Sequence, residues 1–300
     1  MKKIFTLGVA MISLVGCKTA GTGAGAGGGA SSANAACTGG KVDLSKVTGD
    51  WIANAAIAQP EGKYPGSQYR VRFASAPAAD GTLKATLAWR IDSRPYTGKY
   101  LPNALGGTLE LLEDMTPETV TQLRKNQDPN QPMRSVVTIT PEETGCVLFV
   151  SDETITYVGD KDIRKTMLGS LKLAPAAAGA QYSFIRCTAP KTVYFDGKAD
   201  EGGAPVHLAA GKTVMAKVTR EKKDLPECPY SADVFVDGLQ VASKVAGNVG
   251  KEDNVDAVTW TTQVTVQNGA PAHGVEFQTY ADCTDGRKLI ASSCNQALSP

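Results

Sequence analysis

Tyr69-Arg70-Val71-Arg72-Phe73, Asp80-Gly81 and Leu83-Lys84-Ala85-Thr86-Leu87-Ala88-Trp89-Arg90-Ile91 decide how this chain folds. In the first run apolar side chains alternate with arginines. In the last, Leu83, Ala85, Leu87, Trp89 and Ile91 alternate with Lys84, Thr86 and Arg90. Successive strand side chains point to opposite faces, so a period of two marks half-buried β-strands, whereas a helix would repeat every 3.6 residues. Asp80-Gly81 supplies the positive φ that a turn between the two strands needs.

Working outward, residues 107–112, 135–140, 146–150, 154–158, 168–173 and 181–187 read as further strands. A short helix interrupts them, with Thr116 as N-cap, Pro117 at its first position, and Asn126 and Asp128-Pro129 as stop signals. It is expected to cover a barrel mouth or a sheet edge. Thr188-Ala189-Pro190 marks a domain boundary. Beyond it Val214, Ala216 and Val218 alternate with Met215 and Lys217, and Trp260, Thr262 and Val264 with Thr261 and Gln263. Asp237-Gly238 between Val234-Phe235-Val236 and Leu239-Gln240-Val241 is a two-residue hairpin signal, and Asn268-Gly269 and Asp285-Gly286 add two more turns. About seven short strands in about 110 residues is the rhythm of an immunoglobulin-like β-sandwich. The expected fold is all-β: a barrel or sandwich over residues 38–188 with one short helix, then a β-sandwich over 189–300.

The amino terminus reads differently. Lys2 and Lys3 precede an apolar run from Ile4 to Val15, too short for a bilayer core that needs roughly 20 apolar residues. Leu14-Val15-Gly16-Cys17 follows and resembles the lipobox of bacterial lipoproteins. That resemblance implies cleavage of residues 1–16, a diacylglycerol thioether on Cys17, anchoring to the membrane through lipid and, with Lys18 rather than Asp after the cysteine, an outer-membrane destination. The alternative is an ordinary secretory signal cleaved among the small residues from Ala20 to Ala36. Residues 18–36, nearly all Gly, Ala, Ser and Thr, read as a flexible tether with an end-to-end distance of about 20–25 Å.

Loss of Lys2 and Lys3 from the 31 basic residues leaves 29 against 30 acidic ones, a balance that builds no field for nucleic acid. Cys37, Cys146, Cys187, Cys228, Cys283 and Cys294 remain after Cys17, an even six that suggests up to three disulfides in an exported chain. Six cysteines allow fifteen connectivities. Cys146 with Cys187 is the expected first pair, because both flank strand-like runs in the same half. No C-x-x-C occurs and His207 and His273 are the only histidines, so no metal or cofactor is expected.

Gly49-Asp50-Trp51 is a G-x-W at the start of the first strand, and it resembles the opening of lipocalins and wider calycins. The resemblance implies an eight-stranded up-and-down barrel in which Trp51 closes the base. It implies further that an arginine on the last strand, here Arg186 in Tyr182-Ser183-Phe184-Ile185-Arg186, packs over that indole.

Catalytic constellations are scarce. There is no H-E-x-x-H, G-x-S-x-G or G-x-x-x-x-G-K-S/T. His273 and Glu276 are three apart on an extended run and point to opposite faces. Asp160-Lys161-Asp162 and Asp196-Gly197-Lys198-Ala199-Asp200-Glu201 lack EF-hand spacing and read as solvated turns. The expectation is a non-catalytic binding module holding a small apolar ligand, with Trp51, Phe73 and Trp89 as pocket aromatics. The alternative is an interaction lipoprotein that recognises another envelope protein through loops at residues 92–105 and 248–256. Fractionation checks the lipobox reading: the mature chain should partition with membranes and carry acyl groups on Cys17, and a soluble, unacylated chain overturns it.

Overall fold

The computed structural model describes residues 36–53, 69–89, 91–126, 134–158, 161–190, 192–198, 206–209, 211–265 and 272–298. The lipobox, the tether to residue 35, Asp128-Pro129, Asp160, Ala199-Asp200-Glu201 and Asn268-Gly269 lie outside the described residues.

The fold is all-β. A two-stranded ribbon, β1 (Cys37–Thr38) and β2 (Lys41–Val42), and a 3-10 turn at Leu44–Lys46 lead into an eight-stranded closed antiparallel barrel. Its strands are β3 (Gly49–Ile52), β4 (Tyr69–Phe73), β5 (Thr82–Trp89), β6 (Asp92–Leu101), β7 (Thr108–Glu113), β8 (Arg134–Pro141), β9 (Leu148–Val158) and β10 (Lys161–Pro175). Each pairs with the next in sequence, and β10 closes on β3 through Ala174↔Ile52 and Pro175↔Trp51. The alternation of β4 and β5 sends Val71, Phe73, Leu83 and Ala85 inward, where they meet Trp51, Leu109, Leu111, Val137, Ile139, Leu148, Val150, Leu171 and Leu173 in one buried cluster. The entering segment plugs this end: Ala36, Val42, Leu44 and Val47 belong to the same cluster, and the Gly145 and Cys146 amides both donate to Gly40 O.

The helix α1 (Pro117–Asn126) is capped as expected, the Thr119 amide donating to Thr116 Oγ1 at 3.2 Å. It covers neither a mouth nor an edge. Leu123 packs on Val136, Ile155 and Tyr157, on the outer wall made by β8 and β9.

Beyond the barrel come β11 (Ala189–Pro190), β12 (Tyr194–Phe195), β13 (Val206–His207), β14 (Thr213–Glu221), β15 (Tyr230–Val236), β16 (Leu239–Ala246), β17 (Asn248–Glu252), β18 (Val255–Thr265), β19 (Ala272–Cys283) and β20 (Gly286–Leu298). They form a six-stranded sheet, β11-β20-β19-β15-β16 with β13 also on β20, and a four-stranded sheet, β12-β14-β18-β17. Val214, Ala216, Val218 and Trp260 from the smaller sheet share a core with Ala232, Val234, Val275 and Phe277 from the larger. The Asp237-Gly238 turn joins β15 to β16 with φ of 50° and 81°, the positive values of a primed turn.

Several expectations are corrected. Residues 92–105 and 248–256 are not loops: β6 occupies most of the first, and β17 with the start of β18 most of the second. The β17–β18 turn is Asp253-Asn254, both at positive φ, a primed turn built without glycine. Residues 181–187 are not the last barrel strand; only an isolated bridge, Tyr182↔Leu239, forms there. The disulfides are Cys37–Cys146, Cys187–Cys294 and Cys228–Cys283. Cys146 is not joined to Cys187, because its turn lies against the amino-terminal ribbon at the closed end, while Cys187 runs beside β20.

Barrel and sandwich belong to one compact unit, Ser31–Pro300, and a buried arginine joins them. Arg70 projects from the outer face of β4 and is 2% exposed. Its Nε donates to Ser183 O at 3.1 Å and its Nη1 to Asp237 O at 3.0 Å. Burial pulls it down to about 10 against the charges of Glu276 and Asp237. A Cβ at Gly238 would run into its guanidinium. Removing the guanidinium leaves the buried Ser183 and Asp237 carbonyls without this donor and the Glu276 and Asp237 charges without its balance, so Arg70→Ala should destabilise the unit by about 3–5 kcal/mol. Gly238→Ala, strained by its positive φ as well, should also destabilise it. Denaturant melts of both variants beside the parent check this; a midpoint unmoved in Arg70→Ala refutes it.

Candidate functional site

The barrel is filled at one end only. Above the layer of Val71, Phe73 and Ala85, the inward positions become Tyr69, Leu87, Trp89, Asp92, Arg94, Tyr96, Ser135, Asp152 and Thr154, and these line a cavity of about 320 Å3. That is the lower end of the usual range for small-molecule sites, about 300–1,000 Å3. Register explains the grouping. Tyr69↔Trp89↔Asp92 form one row across β4, β5 and β6, and Leu87↔Arg94 lies beneath it. Ser135↔Thr154 and Val137↔Asp152 face them from β8 and β9, and a register irregularity in β10 between Thr166 and Gly169 lies opposite Glu153 and Asp152.

The polar groups form a defined network. Arg94 Nε donates to Asp92 Oδ2 at 2.9 Å and Arg94 Nη1 to Glu113 Oε1 at 3.1 Å. Glu113 Oε2 accepts the Ser135 amide at 2.9 Å, and Arg134 Nε donates to the Glu113 carbonyl at 2.8 Å. Burial opposes the Arg94 charge, and the Glu113 and Asp92 carboxylates more than offset it, so its affinity for a proton is raised. Asp152 is different. It is 7% exposed, its Oδ1 has no hydrogen-bond partner among the described residues, and burial, helped by the Glu113 charge, pushes it up to about 7. The Tyr96 phenol is raised too, chiefly by burial.

Of the residues expected to hold ligand, Trp89 lines this cavity, whereas Trp51 and Phe73 are fully packed in the closed end. Trp51 Nε1 donates to Thr48 O at 3.2 Å. Gly49 opens β3 opposite Phe73, and Arg186, exposed on the connector after the barrel, does not cover the indole as the resemblance implies it would. The stacked arginine is elsewhere: Arg72, held by Asp50 at 2.7 Å and 2.8 Å, lies over the Phe184 ring at 4.2 Å. Sequence reasoning missed Arg94 and Asp152, although Val150, Asp152 and Thr154 continue the inward period of β9. The apolar pocket expected from the sequence is mixed, with carboxylates beside the aromatic rings.

A second concavity, about 400 Å3, lies between Arg72 and Thr86 of the barrel and Asp233, Phe235, Gln240 and Gln278 of the larger sheet. Several of its polar groups already have partners: Gln278 Nε2 donates to Ser183 Oγ and Glu276 Oε1, and Asp233 pairs with Arg287. His273, buried, bonds Asp237 at 2.6 Å at the Asp237-Gly238 turn, away from the barrel cavity, and His207 is exposed. Among the described residues no group of three or more His, Cys, Asp or Glu is placed to hold a metal ion.

The Asp152 environment yields a stability test. Its folded value, about 7, lies above the ordinary carboxylate value of 3.8, so the native chain binds the extra proton between those limits. Stability therefore falls as pH rises from about 4 through 7, and the cost is absent below about 4. Asp152→Asn should stabilise the protein at pH 8 by on the order of 1–3 kcal/mol and change little at pH 4. Thermal melts at both pH values check it.

No protein-family model, curated protein or solved structure matches this chain, so the cavity's own geometry carries the functional reading.

Proposed function

We propose that this chain is a lipid-anchored protein of the cell envelope whose barrel binds a small amphiphilic molecule and performs no chemistry on it. The half-filled barrel carries the reading. A barrel evolved only as a scaffold gains stability by filling its interior, since each empty methyl-sized space costs about 1 kcal/mol. Here the closed end is packed with aliphatic and aromatic side chains, and the other end keeps a cavity with an apolar wall of Tyr69, Leu87 and Trp89 and a polar wall of Arg94, Ser135 and Asp152. Two features support the location: the lipobox with its small-residue tether, and three disulfides that use all six cysteines after Cys17, as suits an oxidising compartment. The alternative, an interaction lipoprotein working through residues 92–105 and 248–256, loses its two loops to strands.

Native mass spectrometry of the mature chain beside its denatured intact mass tests the reading. After incubation with envelope extract, the native mass should exceed the denatured mass by a discrete small-molecule increment. Leu87→Trp, which puts an indole into the cavity, should abolish that increment while leaving the fold intact by circular dichroism. Equal masses for the parent chain overturn the proposal.

A further inference from the structure

The charges around the cavity do not balance. Arg94 is committed to two carboxylates, Asp92 at 2.9 Å and Glu113 at 3.1 Å, so that trio carries a net negative charge. Asp152 adds a third carboxyl group, buried, lining the cavity, with one oxygen lacking any hydrogen-bond partner among the described residues. An anionic ligand would meet an arginine already neutralised twice and an unneutralised carboxylate. A cation would satisfy the Asp152 oxygen, and a charge-assisted bond there is about twice as strong as a neutral one. Tyr69, Trp89 and Tyr96 in the same lining are aromatic residues of the kind that attract a positive charge, and Leu87 and Ala88 offer apolar surface to whatever carries it.

We propose that the occupant of the barrel cavity is a small organic cation, an amine whose ammonium group pairs with Asp152 and whose apolar body lies against Leu87 and Trp89. This rests on the reading of the cavity as a ligand site and adds the chemical class of the ligand. The groups facing Asp152 are Arg94, Asp92 and Tyr96 from β6 and Glu113 from β7, and Glu153, next to it on its own strand but on the outer face, adds a smaller repulsion. Of these, Asp152 is the carboxyl pushed up to about 7, so near neutrality it is the one that must lose a proton for the amine to bind. Amine affinity therefore rises with pH across that range.

A matched set of benzylamine, benzyl alcohol and benzoate, titrated calorimetrically into the purified full chain, tests this. At pH 8 benzylamine should bind roughly tenfold or more tighter than benzyl alcohol, with benzoate weakest. Its affinity should fall roughly tenfold from pH 8 to pH 6, while that of the alcohol stays level. Asp152→Asn should remove both the preference and the pH dependence without removing alcohol binding. Equal affinities for amine and alcohol, or an amine affinity indifferent to Asp152→Asn, overturn the cation assignment and leave the cavity reading standing. If none of the three binds and the native mass shows no increment from extract, both fail.

Discussion

A single guanidinium, that of Arg70, makes the barrel and the sandwich one body. It leaves the outer wall of β4, crosses to the polar face of the larger sheet, and ends between the Ser183 and Asp237 carbonyls beneath Gly238. The surrounding polar groups bond to each other: Gln278 to Ser183 and Glu276, Ser292 to Glu276 at 2.7 Å, Tyr280 to Gln278 at 2.8 Å. Buried polar networks of this kind are stabilising only when every member is satisfied, which gives the interface one geometry rather than a range of them. The connector from residue 181 to 188 is part of the same contact, with Ser93 Oγ donating to Phe184 O and the Gln240 amide to Gln181 O. An apolar interface of equal area would tolerate sliding; this one would lose hydrogen bonds with any shift.

The barrel itself is divided along its axis. At the plugged end apolar side chains and the amino-terminal ribbon exclude water, and Cys37–Cys146 ties the ribbon to the β8–β9 turn. At the other end the same inward positions carry charge, so the interior changes from core to site within about two residues of each strand. The stability forgone by leaving Asp152 buried with an unmet oxygen is tolerable because the lower half and the second core supply the packing.

Much of this was legible from spacing. β4 appears with the bounds its alternation suggests, β5 runs from Thr82 to Trp89 and stops short of the Ile91 that the alternation reaches, and the Thr116 cap and Pro117 start mark the helix. What escaped did so for physical reasons. β6 reads as a loop because its inward residues include Asp92, Arg94, Tyr96 and Gly98 and no aliphatic: the first three line the cavity, and a Cβ on Gly98 would strike Leu111. The polar lining that makes a site erased the hydrophobic signal of the strand that carries it. Ser151-Asp152-Glu153 reads as a break between two strands for the same reason, though β9 runs through it. Arg70 and Arg72 are indistinguishable in sequence, both outward on one strand, and only the second layer of structure decides that one is buried and the other half exposed. The disulfides pair residues separated by 109, 107 and 55 positions, and such pairings follow from the closed fold, which local pattern does not specify.

The plug has a kinetic meaning. With its base stoppered by Ala36, Val42, Leu44 and Val47 and stapled covalently to the β8–β9 turn, the barrel is a cup and not a tube. Among the described residues the plugged end offers no way through, so a ligand reaches the cavity from the opposite end, and residence time is set there, whatever the strength of the grip below.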